Sequence, residues 1–533
     1  LGWVTFPHAL VRQALVARTT RNREAHLHLR VADALGAGAT ATAGAVAEHL
    51  LAAGRLAPTA RRARAALDAE PGTEPALRAE ALILSARVDR HLGSREPGEA
   101  AIGEAIAVAR HIGDPVLLAR AAQEQALLEA GVGLAYGVVD EPLIALLDEA
   151  LAGLPPGHDA DRSALLAWGS IARDGVDPEG QEQMAAEALA LVEGRPGEDH
   201  GRALALLARR IAVAGPAGLE ERLRLGPVMD RAARGWTEME VMSLTFGVTG
   251  FIEADRLADA EAELEQLRAL VATHDRPGYR AYLLFLDASL ALLRGDQARG
   301  AALSDEALEV GADAHGTNAL LMWSAQQVNL ARDRGTLPAL VPIAVERVAE
   351  FPRIQAWRAV LAAGRAAAGD HAGAAEAYAP LFTDGRWASR YGTSLWYVTT
   401  YLIAEAAAAG GDEVACAGLV DLLAPLERRV AISGMGSGVL GPMGRVLGLV
   451  REVLGDVEGA VAALTTAVDI ATADGYLPWE ARARWDRARL LRRRGGPGDD
   501  AVAATDEARA RALADELALH LSLDPAHGPG FPG

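Results

Sequence analysis

Residues 436–441 read GSGVLG and fit G-x-G-x-x-G, the spacing that lets backbone amides close on the pyrophosphate of a dinucleotide. That chemistry needs a strand before the motif and a helix N-terminus after it, inside a parallel sheet. Here an Ala- and Leu-rich helical pattern over 412–429 precedes it, and another helical pattern starts at Met443. The segment therefore reads as a flexible loop between helices. The 13 histidines include no H-E-x-x-H and no pair set against carboxylates at zinc spacing. His26 and His28 are two apart and face away from each other on a helix. His91, His111 and His274 stand at predicted helix ends, where a cation suits the C-terminal dipole. Cys416 is the only cysteine, which excludes an internal disulfide and a Cys-based zinc site and fits a reducing compartment. It sits where a packed core thiol is expected.

Two further groups are suited to binding rather than reaction. Arg18, Arg21, Arg23 and Arg30 cluster early in the chain, and Arg482, Arg484, Arg487, Arg489 and Arg492–Arg494 cluster late. The late group carries interleaved Glu480 and Asp486 and reads as a solvated, ion-paired helix face rather than a phosphate-binding stripe. Trp387, Tyr391, Trp396, Tyr397 and Tyr401 are concentrated in a chain with only 5% aromatic residues. They read either as a large-residue patch between helices or as a ligand or partner surface on a concave groove.

Charge and composition narrow the options. Arginine and lysine together number 52 against 71 acids, a net charge of −19, which disfavours nucleic acid and anionic membrane. All the cations are arginine. Without a lysine there can be no phosphate-binding loop of the usual kind and no Schiff base, so an enzymatic role for this chain is not expected. No uninterrupted apolar run is long enough to span a membrane; the nearest, 395–409, is broken by Glu405. A cytoplasmic location is expected, and a first residue of Leu rather than Met suggests a piece of a longer polypeptide.

The elements that position these residues are helices. Ala, Leu, Arg and Glu dominate, and no convincing alternating strand is visible. One turn recurs: Gly295-Asp296, Gly369-Asp370, Gly411-Asp412, Gly455-Asp456 and Gly498-Asp499, with a degenerate Ala254-Asp255. The interval is about 40 residues, or twice that, which suits two helices and two short turns. Gly fits the left-handed residue after one helix, and Asp fits the N-cap of the next. Five residues after each Gly stand Gly300, Ala374, Cys416, Ala460 and Ala503; twelve after stand Ala307, Leu381, Leu423, Ala467 and Ala510. Tyr378, Val420 and Leu464 are larger residues between them. This pattern resembles the tetratricopeptide repeat, with a longer period. The resemblance implies a right-handed superhelical solenoid of helix hairpins over 236–523. Upstream the helical pattern continues as divergent hairpins over 55–235, so the chain reads as all-α, and the Pro- and Gly-rich tail, 524–533, is expected to be disordered.

The opening differs. Phe6, His8, Leu10 and Arg12 form one element; Leu27, His28, Val31 and Ala32 form a second; Ala47, Glu48, His49, Leu50 and Leu51 form a third. In this order they resemble the end of the ATPase module in large bacterial signal-transduction ATPases with helical repeats. Those include the large LuxR-type regulators and the related ATPases fused to nucleotide cyclase domains. The resemblance implies that 1–54 is a winged-helix remnant with connecting helices, and that His8 and Arg12 lie near nucleotide in the intact protein. ATP or ADP and Mg²⁺ are then expected only with an upstream domain, and no cofactor in this chain. Its partners would be a protein or small-molecule inducer and that upstream ATPase domain, with DNA bound only through a domain not present here. A regulatory arm of a nucleotide cyclase or another multidomain enzyme, or a free-standing repeat scaffold, remains open.

Overall fold

The computed structural model describes residues 75–521, apart from 93–94, 131–139, 175–176, 196, 198, 275, 384–385 and 388–393. The opening element with His8 and Arg12, Tyr391 and the tail lie outside the described residues. Among those described are 22 α-helices and two small two-stranded sheets, so the fold is all-α. No described helix is long and apolar enough to cross a membrane.

The chain forms two compact units, divided in sequence at Trp168–Gly169. The first contains α1 (Pro75–Leu92), α2 (Arg95–Ile112), α3 (Pro115–Ala130) and α4 (Glu141–Gly153), each packed on the next. Asp114 caps α3 by accepting from the amides of Val116 and Leu117, with Pro115 set where its missing N–H costs nothing. Glu124 of α3 is buried between Arg87 and Arg90 of α1, at 3.1 and 3.2 Å. Helix α5 (Asp159–Ala172) spans the dividing point.

The second unit continues with α6 (Pro178–Val192), α7 (Asp199–Ala212) and α8 (Leu219–Ala232). Fourteen helices follow in seven consecutive pairs: α9 (Thr237–Glu253) and α10 (Leu257–Thr273), α11 (Pro277–Leu293) and α12 (Gln297–His315), α13 (Thr317–Asp333) and α14 (Val341–Glu350). Then come α15 (Gln355–Ala367) and α16 (His371–Tyr378), α17 (Trp396–Ala409) and α18 (Glu413–Leu423), α19 (Met443–Val453) and α20 (Val457–Ala473), α21 (Leu477–Arg494) and α22 (Asp499–Leu517).

The repeated turn does what its residues dictate. Gly295, Gly369, Gly411 and Gly455 all have positive φ, and the following Asp accepts from the amide three residues on, at 2.9 to 3.1 Å. Two copies differ. Asp255 itself takes the left-handed position at φ 60°, which Asp tolerates better than most residues. Gly498 is the N-cap, and Asp499 is the first helical residue, holding the Gly496 amide at 2.8 Å and the Arg494 guanidinium at 2.7 Å. Ala307, Ala374, Cys416, Ala460, Ala467, Ala503 and Ala510 are fully buried on the second helices, where small size lets helix axes approach. Gly300 is the tightest of these: a Cβ there would lie 2.6 Å from Leu292 Cδ2.

The first helices of the pairs are buried on nearly every face, as in α11, where Tyr279, Tyr282, Leu284, Phe285 and Leu286 are all inside. The reason is a strand pair that the sequence pattern conceals. β3 (Val430–Ser433) and β4 (Gly438–Pro442) form an antiparallel hairpin between α18 and α19, with β4 wholly buried. It packs against α9, α11, α13, α17 and α21. The other pair, β1 (Phe382–Thr383) and β2 (Arg386–Trp387), lies between α16 and α17. The last helices return to α11–α13: Gln297 Nε2 donates to Leu517 O at 2.9 Å, and the His520 amide donates to Asp333 O at 2.7 Å.

Candidate functional site

The glycine fingerprint is the turn of the buried hairpin, not a loose loop. Ser289 Oγ donates to Gly436 O at 2.6 Å, Asn329 Nδ2 to Val439 O at 3.1 Å, and the Gly434 amide to Ser394 O at 2.8 Å. Both strands are antiparallel to each other, and α19 begins only after Pro442, so the parallel-sheet setting of a dinucleotide site does not exist here. The glycines answer to packing instead. Gly436 and Gly441 have φ of 79° and 74°, and a Cβ on Gly441 would lie 2.4 Å from the Trp479 ring.

The aromatic group goes to the interior. Trp396, Tyr397 and Tyr401 of α17 are at most 3% exposed, and Trp387 packs edge-on against Phe382. Both faces of α17 are covered, so these rings do not line an open groove. Tyr397 Oη donates to Glu253 Oε1 at 2.8 Å, and Glu253 also pairs with Arg222. Burial pushes the Glu253 carboxyl up, and Arg222 opposes that.

Tyr401 leads to a cluster that the sequence reading missed. Arg332 and Asp333 end α13, Glu405 lies on α17, Arg445 starts α19, and Arg482 and Asp486 lie on α21; all six are at most 4% exposed. One Glu405 oxygen binds Arg332 Nη1, and the other accepts from Arg445 Nη1 at 2.7 Å. Arg445 Nε reaches Asp486 Oδ2 at 2.8 Å, and Arg482 Nη2 reaches Asp333 Oδ1 at 2.7 Å. Three guanidinium groups meet three carboxylates, so the buried charge is balanced. The Arg332 guanidinium also lies 5.6 Å from the Trp479 ring centre and 5.9 Å from that of Tyr401.

The two halves of the cluster differ electrically. Burial alone would raise the Glu405 carboxyl, but Arg332 and Arg445 outweigh it and hold the group down at about 2. At Asp333 burial wins over Arg482 and pushes the carboxyl up, and burial lowers Arg482 correspondingly. Both oxygens of Glu405 are occupied by guanidinium N–H groups, so it is not a free base. Next to the cluster lies a cavity of about 20 Å³, lined by Arg332, Gly335, Leu337, Ala367, Glu405, Arg482, His520 and Leu521. Arg332 Nε and Nη2 have no hydrogen-bond partner among the described residues.

The late arginine cluster is ion-paired but only partly solvated. Arg482 is fully buried; Arg484 and Arg487 share Asp506, and Arg489 grips Glu452. Arg492 and Arg493 at the helix end are the exposed part, paired with Glu507 and Glu452, and half-buried Arg494 pairs with Asp499. Cys416 is buried beside Asp412, and burial pushes its thiol up to about 12, which leaves it unreactive at neutral pH. Among the described residues no three His, Cys, Asp or Glu side chains group to hold a metal ion. No protein-family model matches the chain and no curated protein matches it, so its function is to be read from its own residues.

Proposed function

We propose that this chain is the sensor or partner-binding arm of an ATP-dependent bacterial regulator, acting in the cytoplasm and not an enzyme in its own right. The observation that carries this reading is the run of seven consecutive helix pairs from Thr237 to Leu517. Stacked helix pairs present extended surface to a protein or a small inducer. We read them as tetratricopeptide-like hairpins in a right-handed superhelix, on the strength of the Gly-Asp turn and the buried small residues. With the hairpin β3–β4 packed inside, a partner would meet the outer helices and the edges of the array. Nucleotide, Mg²⁺ and any DNA contact would belong to other domains of the parent protein.

Two measurements test it together. The purified chain should hydrolyse no ATP, and turnover that survives rigorous purification would overturn the reading. In the intact regulator, His8→Ala should loosen ADP and raise basal activity, because a contact of the closed state is lost and the balance shifts toward the open one. Unchanged ADP affinity and output in that variant would reduce His8 to packing or capping the first helix behind Pro7, and remove the ATPase link.

A further inference from the structure

Helix α22 ends at Ala518, whose backbone is left-handed at φ 52° and ψ 49°, and the chain then lies against α13 and α21. Ala is more strained there than the Gly or Asn usual after a helix, so contacts beyond the turn hold it in place. Residues 519–521 have no regular structure of their own. Leu519 and Leu521 are buried, while His520 between them is half-buried over Gly335, where a Cβ would lie 3.0 Å from its Cγ. The main chain of His520 is held on both sides: its amide donates to Asp333 O at 2.7 Å, and its carbonyl accepts from Arg482 Nη2 at 3.0 Å. Alternate side chains set in pockets, with the middle residue held by its main chain, are how a folded surface reads an extended peptide.

We infer that this seat is a binding site for an extended Leu-x-Leu segment of a partner protein, and that residues 519–521 are its built-in competitor. Three features favour this over a fixed strap. The attachment is slight: fixing three residues costs conformational entropy of the same order as burying two leucines returns, and left-handed Ala518 adds strain. The two main-chain contacts stand ready without the strap. Asp333 is the last residue of α13, so its carbonyl needs a donor from outside the helix, and Arg482 is already fixed by the Asp333 carboxylate at 2.7 Å. The fit is also incomplete, because a cavity of about 20 Å³ remains, lined by Leu521, Gly335, Leu337 and Ala367 among others. That space extends the Leu521 pocket, so a longer apolar side chain fits it better than the resident leucine. The site stands whether or not the chain serves a regulator.

The test uses the full chain. In native-state hydrogen exchange the His520 amide should open locally, roughly a hundredfold or more faster than amides in the middle of α21. Leu519→Ser with Leu521→Ser empties both pockets without touching Arg482 or Asp333, and should leave the helical circular dichroism spectrum unchanged. A labelled peptide of residues 518–521, blocked at both ends, should bind this variant saturably in an NMR titration. It should bind the unaltered chain roughly tenfold or more weakly, because the resident strap holds most of the sites. Met in place of the second Leu of the peptide should tighten binding, and Ser in place of both should abolish it. A His520 amide that exchanges only with global unfolding would overturn the proposal. So would loss of the helical spectrum in the variant, since a detachable strap is not needed for the fold, and so would absent peptide binding or equal binding of the serine peptide.

Discussion

Glu405→Gln should cost the second unit about 3–5 kcal/mol, the penalty for leaving buried charge without its partner. The residue is 3% exposed and, among the described residues, is the only carboxylate paired with both Arg332 and Arg445. Gln keeps the shape and removes the charge, so Asp486 is left beside Arg445, while among the described residues Arg332 keeps no ion-pair partner and only the more distant field of Asp333. A domain stable by about 5–15 kcal/mol would lose a large part of its margin. The pH dependence has a defined sign. Glu405 is held down at about 2 in the folded chain, below the ordinary carboxylate value. Its contribution is therefore complete above about pH 5 and is lost as pH falls toward 2. In Glu405→Gln that part of the acid limb should flatten. The double variant Arg332→Met with Glu405→Leu leaves the Arg445–Asp486 pair intact, and should recover most of the lost stability, as apolar replacements of buried ion pairs do. A single-variant loss under about 1 kcal/mol, the range of a solvated pair, would show that water reaches the cluster.

That cluster also marks where sequence reading stops. A lone Glu in the apolar run 395–409, and a lone Arg in the apolar start of α19, are the only local hints that both face something charged. Their partners stand 40 and more residues away, and no periodicity within one helix names them. The Gly-Asp turn is legible because its energetics are local: one left-handed glycine, one side chain accepting from an amide three residues on. The small residues of the second helices are legible for the same reason, since spacing alone puts them on one face. The hairpin is not legible. Its strands are short, glycines interrupt the alternation, and its polar partners Ser289 and Asn329 lie 147 and 110 residues upstream. Hiding the hairpin also hid the fate of the aromatics. The one-turn spacing of Tyr397 and Tyr401 places them on one helix face, but only the covered interior shows that this face, like the opposite one, is closed.

Gly441→Ala should destabilise the second unit by about 2–4 kcal/mol, the sum of backbone strain and overpacking. At φ 74° an alanine is strained wherever it points, and here its Cβ would meet Trp479 Cδ2 at 2.4 Å and Cγ at 2.5 Å. A ring held between Tyr401, Arg332 and Arg482 has little freedom to retreat. Gly436→Ala carries the same kind of backbone strain, but its nearest neighbour is Leu286 Cδ2 at 2.5 Å, the end of a flexible side chain. That variant should cost less, about 1–2 kcal/mol. The ordering discriminates between packing and a nucleotide role for GSGVLG. Glycines kept for a pyrophosphate would leave the unfolding midpoint nearly unchanged on substitution and remove dinucleotide binding. Glycines kept for the hairpin's seat lower the midpoint, Gly441 more than Gly436, and alter the fluorescence of Trp479 in the folded chain. A midpoint unmoved by Gly441→Ala would mean that the hairpin can leave the interior without loss, and that the inner helices are open to another occupant.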